Sequence, residues 1–140
     1  MFTKKCFLSV GIVFVTMFVF DAIYHGVLLQ GMYEDTASLW RTKEEMQSYF
    51  PVQILIYLFF SIAIAALYRK FVFVEHNKKD LQQKTFIGAS LLGSIIGLKG
   101  LFAVVYMPIS FKLAVCWFFG SLMLAYIVAA LLYLLHRKSL

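Results

Sequence analysis

Four stretches of this chain, Phe7 to Leu29, Val52 to Tyr68, Phe86 to Met107 and Leu113 to Leu135, are almost continuously apolar and carry only two charges between them, Asp21 and Lys99. A helix needs about 20 apolar residues to cross a hydrocarbon core of roughly 30 Å. The second run reaches that length once Ser48 to Pro51 are added. Strands of a membrane barrel would alternate in polarity over about ten residues, and these runs do not. The expected fold class is therefore all-α, an integral-membrane bundle of four transmembrane helices. Composition agrees, because 14% charged residues beside 62% hydrophobic ones, against roughly 25% charged in soluble domains, leave too little polar surface to cover such a chain in water. Two cysteines exclude a disulfide scaffold.

The expected organisation is a single membrane domain over 1–140, with helices at about 7–29, 50–68, 86–107 and 112–135. An outer connection spans 30–50 and a cytoplasmic one 69–85. Lys4 and Lys5 precede the first span, Arg69, Lys70, Lys78, Lys79 and Lys84 lie between the second and third, and Arg137 and Lys138 follow the fourth. Only Arg41, Lys43 and Lys112 fall on the other side. The positive-inside rule then places both termini in the cytoplasm. The basic, apolar start has no small-x-small cleavage site, so it reads as an uncleaved first helix. The net charge of +6 suits anionic headgroups. It does not suit nucleic acid, since the basic segment around Lys79 and Lys84 has no interleaved aromatic platform for bases.

In the outer connection Thr42 and Glu45 have capping-box spacing, and Leu39, Met46 and Phe50 recur on one helical face. A short amphipathic helix lying on the membrane is expected there. Ala89, Gly93 and Gly97 form a small-residue ladder on the third span, and Ser121, Ala125 and Ala129 form another on the fourth. Pairing the two ladders in the hairpin is the economical arrangement. A homodimer through one of them is the alternative.

Asp21 and His25 are one turn apart on the first helix. Asp21 lies eight residues before Leu29 and Lys99 eight before Met107, so the two charges share a depth and are candidates for an ion pair. A lone charge at the bilayer centre costs about 2.5 to 3.5 kcal/mol, so both are expected to face inwards, towards each other or a ligand. Tyr106, seven residues beyond Lys99, extends this face outwards, and Tyr33 and Trp40 are expected at the mouth. Trp40 and Arg41, with Lys43 and Lys112, set an aromatic ring and cations at the outer headgroup level. The candidate ligand-binding set is Asp21, His25, Lys99, Tyr106, Trp40 and Arg41. The bland alternatives are a buried bridge that fixes packing, and interface anchoring by Trp40 and the snorkelling cations.

No cofactor is expected. His25 is the one histidine well inside a span, since His76 and His136 sit at cytoplasmic ends, which excludes bis-histidine haem ligation. Asp21 and His25 supply two metal ligands where zinc needs three or four, and Lys99 would repel a cation. Cys116 reads as small core, and the common soluble enzyme signatures are absent.

The segment FVFDAIYHGVLLQGMYEDTASLWRTKEEM resembles a family of small bacterial four-helix membrane proteins with D-x-x-x-H-G-x-L-L, a following Tyr and L-W-R, described only as of unknown function. The likeness extends loosely to the MPISFKLAVCW turn. It implies a multi-pass protein of the bacterial inner membrane, and no catalytic residue, substrate or cofactor.

The leading expectation is a membrane protein whose polar pocket, in the outer half of the bundle, binds or moves a small amphipathic or lipid-like ligand. The first alternative is an intramembrane lipid-acting enzyme using Asp21 and His25 as acid and base. The second is a structural or accessory subunit whose ion pair only sets packing. Membrane lipids are the expected surroundings, and whether the chain is an enzyme is left open by these residues.

Overall fold

The computed structural model describes residues 4–72 and 78–137; Lys138, His76 and part of the 69–85 connection lie outside the described residues. All regular structure within them is helical. The first long helix, α1, covers Lys4–Ile23 and continues as a π-helical turn over Tyr24–Leu28. Two short helices follow, α2 at Gln30–Glu34 and α3 at Lys43–Ser48, with a 3-10 turn at Ala37–Leu39 between them. Helix α4 covers Phe50–Leu67 and runs into a second π-helical turn, α5 covers Lys78–Phe102, and α6 covers Phe111–His136. Four of these segments are long and apolar enough to span a bilayer.

Local chemistry accounts for the helix starts. Pro51 occupies the first turn of α4, where its missing N–H costs nothing. Ser110 caps α6 by accepting from the Leu113 amide at 3.1 Å. Thr42 and Glu45 make the capping box reciprocally, at 2.9 and 3.2 Å, and so start α3. Helix α5 begins at Lys78, well before the apolar run at Phe86. Its first turns are polar, but Leu81 and Thr85 are buried, so the helix forms on its packed face while its other faces stay wet.

Helices α5 and α6 form the tightest pair, α1 packs on α4, and α1 also packs on α6. The spatial order is thus α4, α1, α6, α5. The small ladder of α5 is used within this pair. A Cβ on Gly93 would sit 3.0 Å from the Ala125 methyl, and one on Gly97 would lie 2.8 Å from the Phe118 ring. Where α1 meets α6, the Tyr24 ring occupies the space of a Gly120 side chain and its hydroxyl donates to the Cys116 carbonyl at 2.7 Å.

The start of α1, the end of α4, the start of α5 and the end of α6 gather at one end of the bundle. There Ser9 meets His136 Nε2 at 3.0 Å, and Tyr68 meets Thr85 at 3.1 Å. Lys4, Lys5, Arg69, Lys70, Lys78, Lys79, Lys84 and Arg137 lie towards this end, and Arg41, Lys43 and Lys112 towards the other. The outer flanks are apolar, with Phe59 80%, Leu91 61%, Ile95 65% and Phe119 60% exposed. So much exposed hydrocarbon on every helix is a lipid-facing surface, and the chain is a multi-pass membrane protein.

Candidate ligand-binding groove

Because α4 and α5 stand at opposite ends of the spatial order, they are walls over a floor made by α1 and α6. They meet through Tyr68 and Thr85 at the basic end. Between them lies a cavity of about 540 Å³, open on one side, whose lining includes Met17, Ile64, Leu92, Leu124 and Val128. Asp21 and His25 line it as well, and both belong to the part of α1 away from the basic end. The result is an apolar groove with a polar terminus.

Asp21 is anchored from the α4 side. Its Oδ2 accepts from the Tyr57 hydroxyl at 2.5 Å, and Gln53 Nε2 donates to the Tyr57 oxygen at 2.9 Å. Gln53, Tyr57 and Ser61 are four residues apart, so they form a polar stripe on an otherwise apolar helix and turn it towards α1. Phe18 packs edge-on against the rings of Phe50 and Tyr57, which completes this contact. Asp21 Oδ1 lies 4.0 Å from His25 Nε2, an ion-pair distance without a hydrogen bond, and the two side chains are 27% and 40% exposed.

His25 lies in the π-helical turn that ends the first span; such turns recur at functional sites. The indole of Trp117 can only donate, and it donates to the Tyr33 oxygen at 2.7 Å. The Tyr33 hydroxyl keeps its proton to donate to His25 Nδ1, 2.7 Å away. Assigned from this pattern, the neutral imidazole carries its proton on Nε2, the nitrogen that faces Asp21. Burial holds the Tyr33 phenol above the ordinary tyrosine range, so it stays protonated within this chain at neutral pH. Trp40 closes the cluster edge-on to Tyr33 and Trp117, at 5.3 and 6.2 Å between ring centres, and its indole donates to Thr36 Oγ1 at 2.9 Å.

Of the residues singled out from sequence, Asp21 and His25 come together, and Trp40 with Tyr33 covers His25 on the side away from the basic end. Lys99 does not join them. Among the described residues no ion pair links it to Asp21, and it is exposed on α5. The reason is angular: Gly97 and Gly100 face α6, and Lys99 is two residues, about 200° of helix, from Gly97. Equal depth did not mean equal direction. Tyr106 is 64% exposed beyond the end of α5, and Arg41 stacks over the Tyr49 ring at 4.4 Å; neither lines the groove. The sequence reading missed Tyr57, Gln53 and Trp117. The stripe of Gln53, Tyr57 and Ser61 was the available signal for the first two. Among the described residues no three of His, Cys, Asp and Glu gather to hold a metal.

No protein-family model, no curated protein and no solved structure matches the chain.

Proposed function

We propose that the protein binds a small amphipathic ligand, with the apolar tail along the groove between α4 and α5 and the polar head at Asp21 and His25, and moves it within or across the bilayer. The observation that carries this reading is the half-open apolar cavity of about 540 Å³ ending on two ionisable side chains, a volume inside the roughly 300 to 1,000 Å³ of small-molecule sites. The opening between the walls gives entry from the lipid. The charge asymmetry of the two ends supports an orientation with both termini in the cytoplasm, and the resemblance of the Asp21 to Met46 segment is what suggests the inner membrane of a bacterium. Helix α3 then lies on the outer interface, with the exposed Met46 towards the lipid, whereas Leu39 belongs to the preceding 3-10 turn.

Photocrosslinking tests the reading. A dodecanol carrying a diazirine near the tail end, irradiated with the protein in nanodiscs, is expected to label peptides of α4, α5 and α6 that line the groove. Gly88 lines it with nothing within 4 Å of an added Cβ, so Gly88→Leu starts from an open position on the groove wall and is expected to narrow the groove and suppress labelling. Labelling confined to the outer flanks and indifferent to Gly88→Leu would overturn the reading. A second reading, acid and base chemistry on a lipid, draws on one observation: the assigned Nε2 proton of His25 faces Asp21 across 4.0 Å inside the cavity.

A further inference from the structure

The groove presents acceptors almost everywhere it presents polar atoms. Asp21 Oδ2 is taken by Tyr57, and its Oδ1 has no hydrogen bond among the described residues. The hydroxyl of Ser121, on the floor, donates to the Trp117 carbonyl at 2.9 Å, which leaves its lone pairs for a ligand. Thr85 donates to the Leu81 carbonyl at 2.7 Å, so Tyr68 must donate to Thr85, and neither keeps a proton for an occupant. The assigned Nε2–H of His25 is the remaining donor, and it faces the carboxylate. Among the described residues no lysine or arginine lines the cavity, and Lys99 faces away.

A carboxylate in apolar surroundings is stabilised by a cation or by hydrogen-bond donors, and here the described residues supply Tyr57 and no lysine or arginine. Resting on the binding reading above, we propose that the occupant's head is a protonated primary amine on a single apolar chain. An ammonium brings one positive charge and three N–H donors to Asp21 Oδ1 and the lone pairs of Ser121, whereas a phosphate, sulfate or carboxylate head would meet acceptors and a like charge. Size sets the tail. The cavity, about 540 Å³ and open on one side, is of the size of small-molecule sites, and a single apolar chain with a small head suits it.

The test compares heads on one tail. Dodecylamine, dodecanol and dodecyl sulfate compete with the diazirine-tailed dodecanol for the full chain in phosphatidylcholine nanodiscs at neutral pH. Dodecylamine is expected to compete about tenfold better than dodecanol, the worth of one hydrogen bond to a charged group, and dodecyl sulfate worst. Asp21→Asn keeps the shape of the side chain and is expected to bring amine and alcohol within about twofold of each other. If alcohol or sulfate competes as well as the amine with the wild-type chain, the amine assignment is overturned while the binding reading stands, a result that does not depend on any variant folding. If the amine advantage survives Asp21→Asn, the assignment to Asp21 is overturned. If no head competes, the binding reading itself fails.

Discussion

Asp21 owes its place to Tyr57, and this sets a double-mutant cycle apart from the one that depth-matched charges suggest. Tyr57→Phe removes the hydroxyl that donates to a carboxylate in apolar surroundings and is expected to cost about 1.5 to 3 kcal/mol. Its effect should be non-additive with Asp21→Asn, while Lys99→Met and Asp21→Asn should add within about 0.5 kcal/mol. Thermal unfolding of the three single and two double variants in detergent reads both couplings, and strong coupling to Lys99 would restore the ion pair. Tyr33 gives a pH signature. Burial raises its phenol above the ordinary tyrosine value of about 10, so the folded state holds the proton more firmly than the unfolded chain does. Its contribution is complete below pH 10 and is lost as pH rises through the higher folded value. Tyr33→Phe is expected to flatten that part of the alkaline stability profile, and an unchanged profile would contradict the burial of Tyr33. Sequence revealed Asp21 and His25 because ionisable groups stand out in an apolar span. Lys99 was misplaced because depth along a helix says nothing of direction around it, although its angle from Gly97 was available. Trp117 gave no signal, since an indole near a headgroup region is ordinarily an anchor.

Helices α5 and α6 approach through Gly93 and Gly97, and the two kinds of glycine on α5 separate packing from propensity. Gly97→Ala would press a methyl to 2.8 Å from the Phe118 ring and 2.9 Å from its carbonyl oxygen, and is expected to cost about 1 to 3 kcal/mol. Gly88→Ala meets nothing within 4 Å and is expected to stabilise by up to about 1 kcal/mol through helix propensity. Melting temperatures of the two variants should move in opposite directions; a harmless Gly97→Ala would mean that the hairpin is looser than this. The small-residue ladder and the Thr42 capping box could be read beforehand, because each is a fixed spacing of particular side chains. The π-helical turn at His25 could not, for it inserts no proline and leaves the hydrophobic pattern intact. The early start of α5 was missed because scanning for apolar runs finds what lies in lipid, and the turns from Lys78 to Thr85 lie beyond it.

In the molecule as a whole, α4, α1, α6 and α5 follow one another without α4 closing on α5, and the groove exists because that last contact is open. The orientation predicts that Ser38→Cys is labelled by an impermeant thiol reagent in intact cells and that Asn77→Cys, outside the described residues, is protected until the cells are opened. The background thiols are Cys6, which is buried, and Cys116, which is half-buried, so wild-type labelling serves as the baseline. Labelling of Asn77→Cys in intact cells would reverse the orientation without touching the fold. Four spans and their order along the chain were plain from the apolar runs; which helices touch was not, since most faces of all four are apolar and hydrophobic patterning alone cannot choose their neighbours. The groove is tested most directly by a density map of the protein in lipid with 12-bromododecylamine. A bromine peak is expected between Ile64, Leu92 and Val128, with the amine at Asp21. An empty or collapsed groove, with bromine only along the outer flanks, would contradict it.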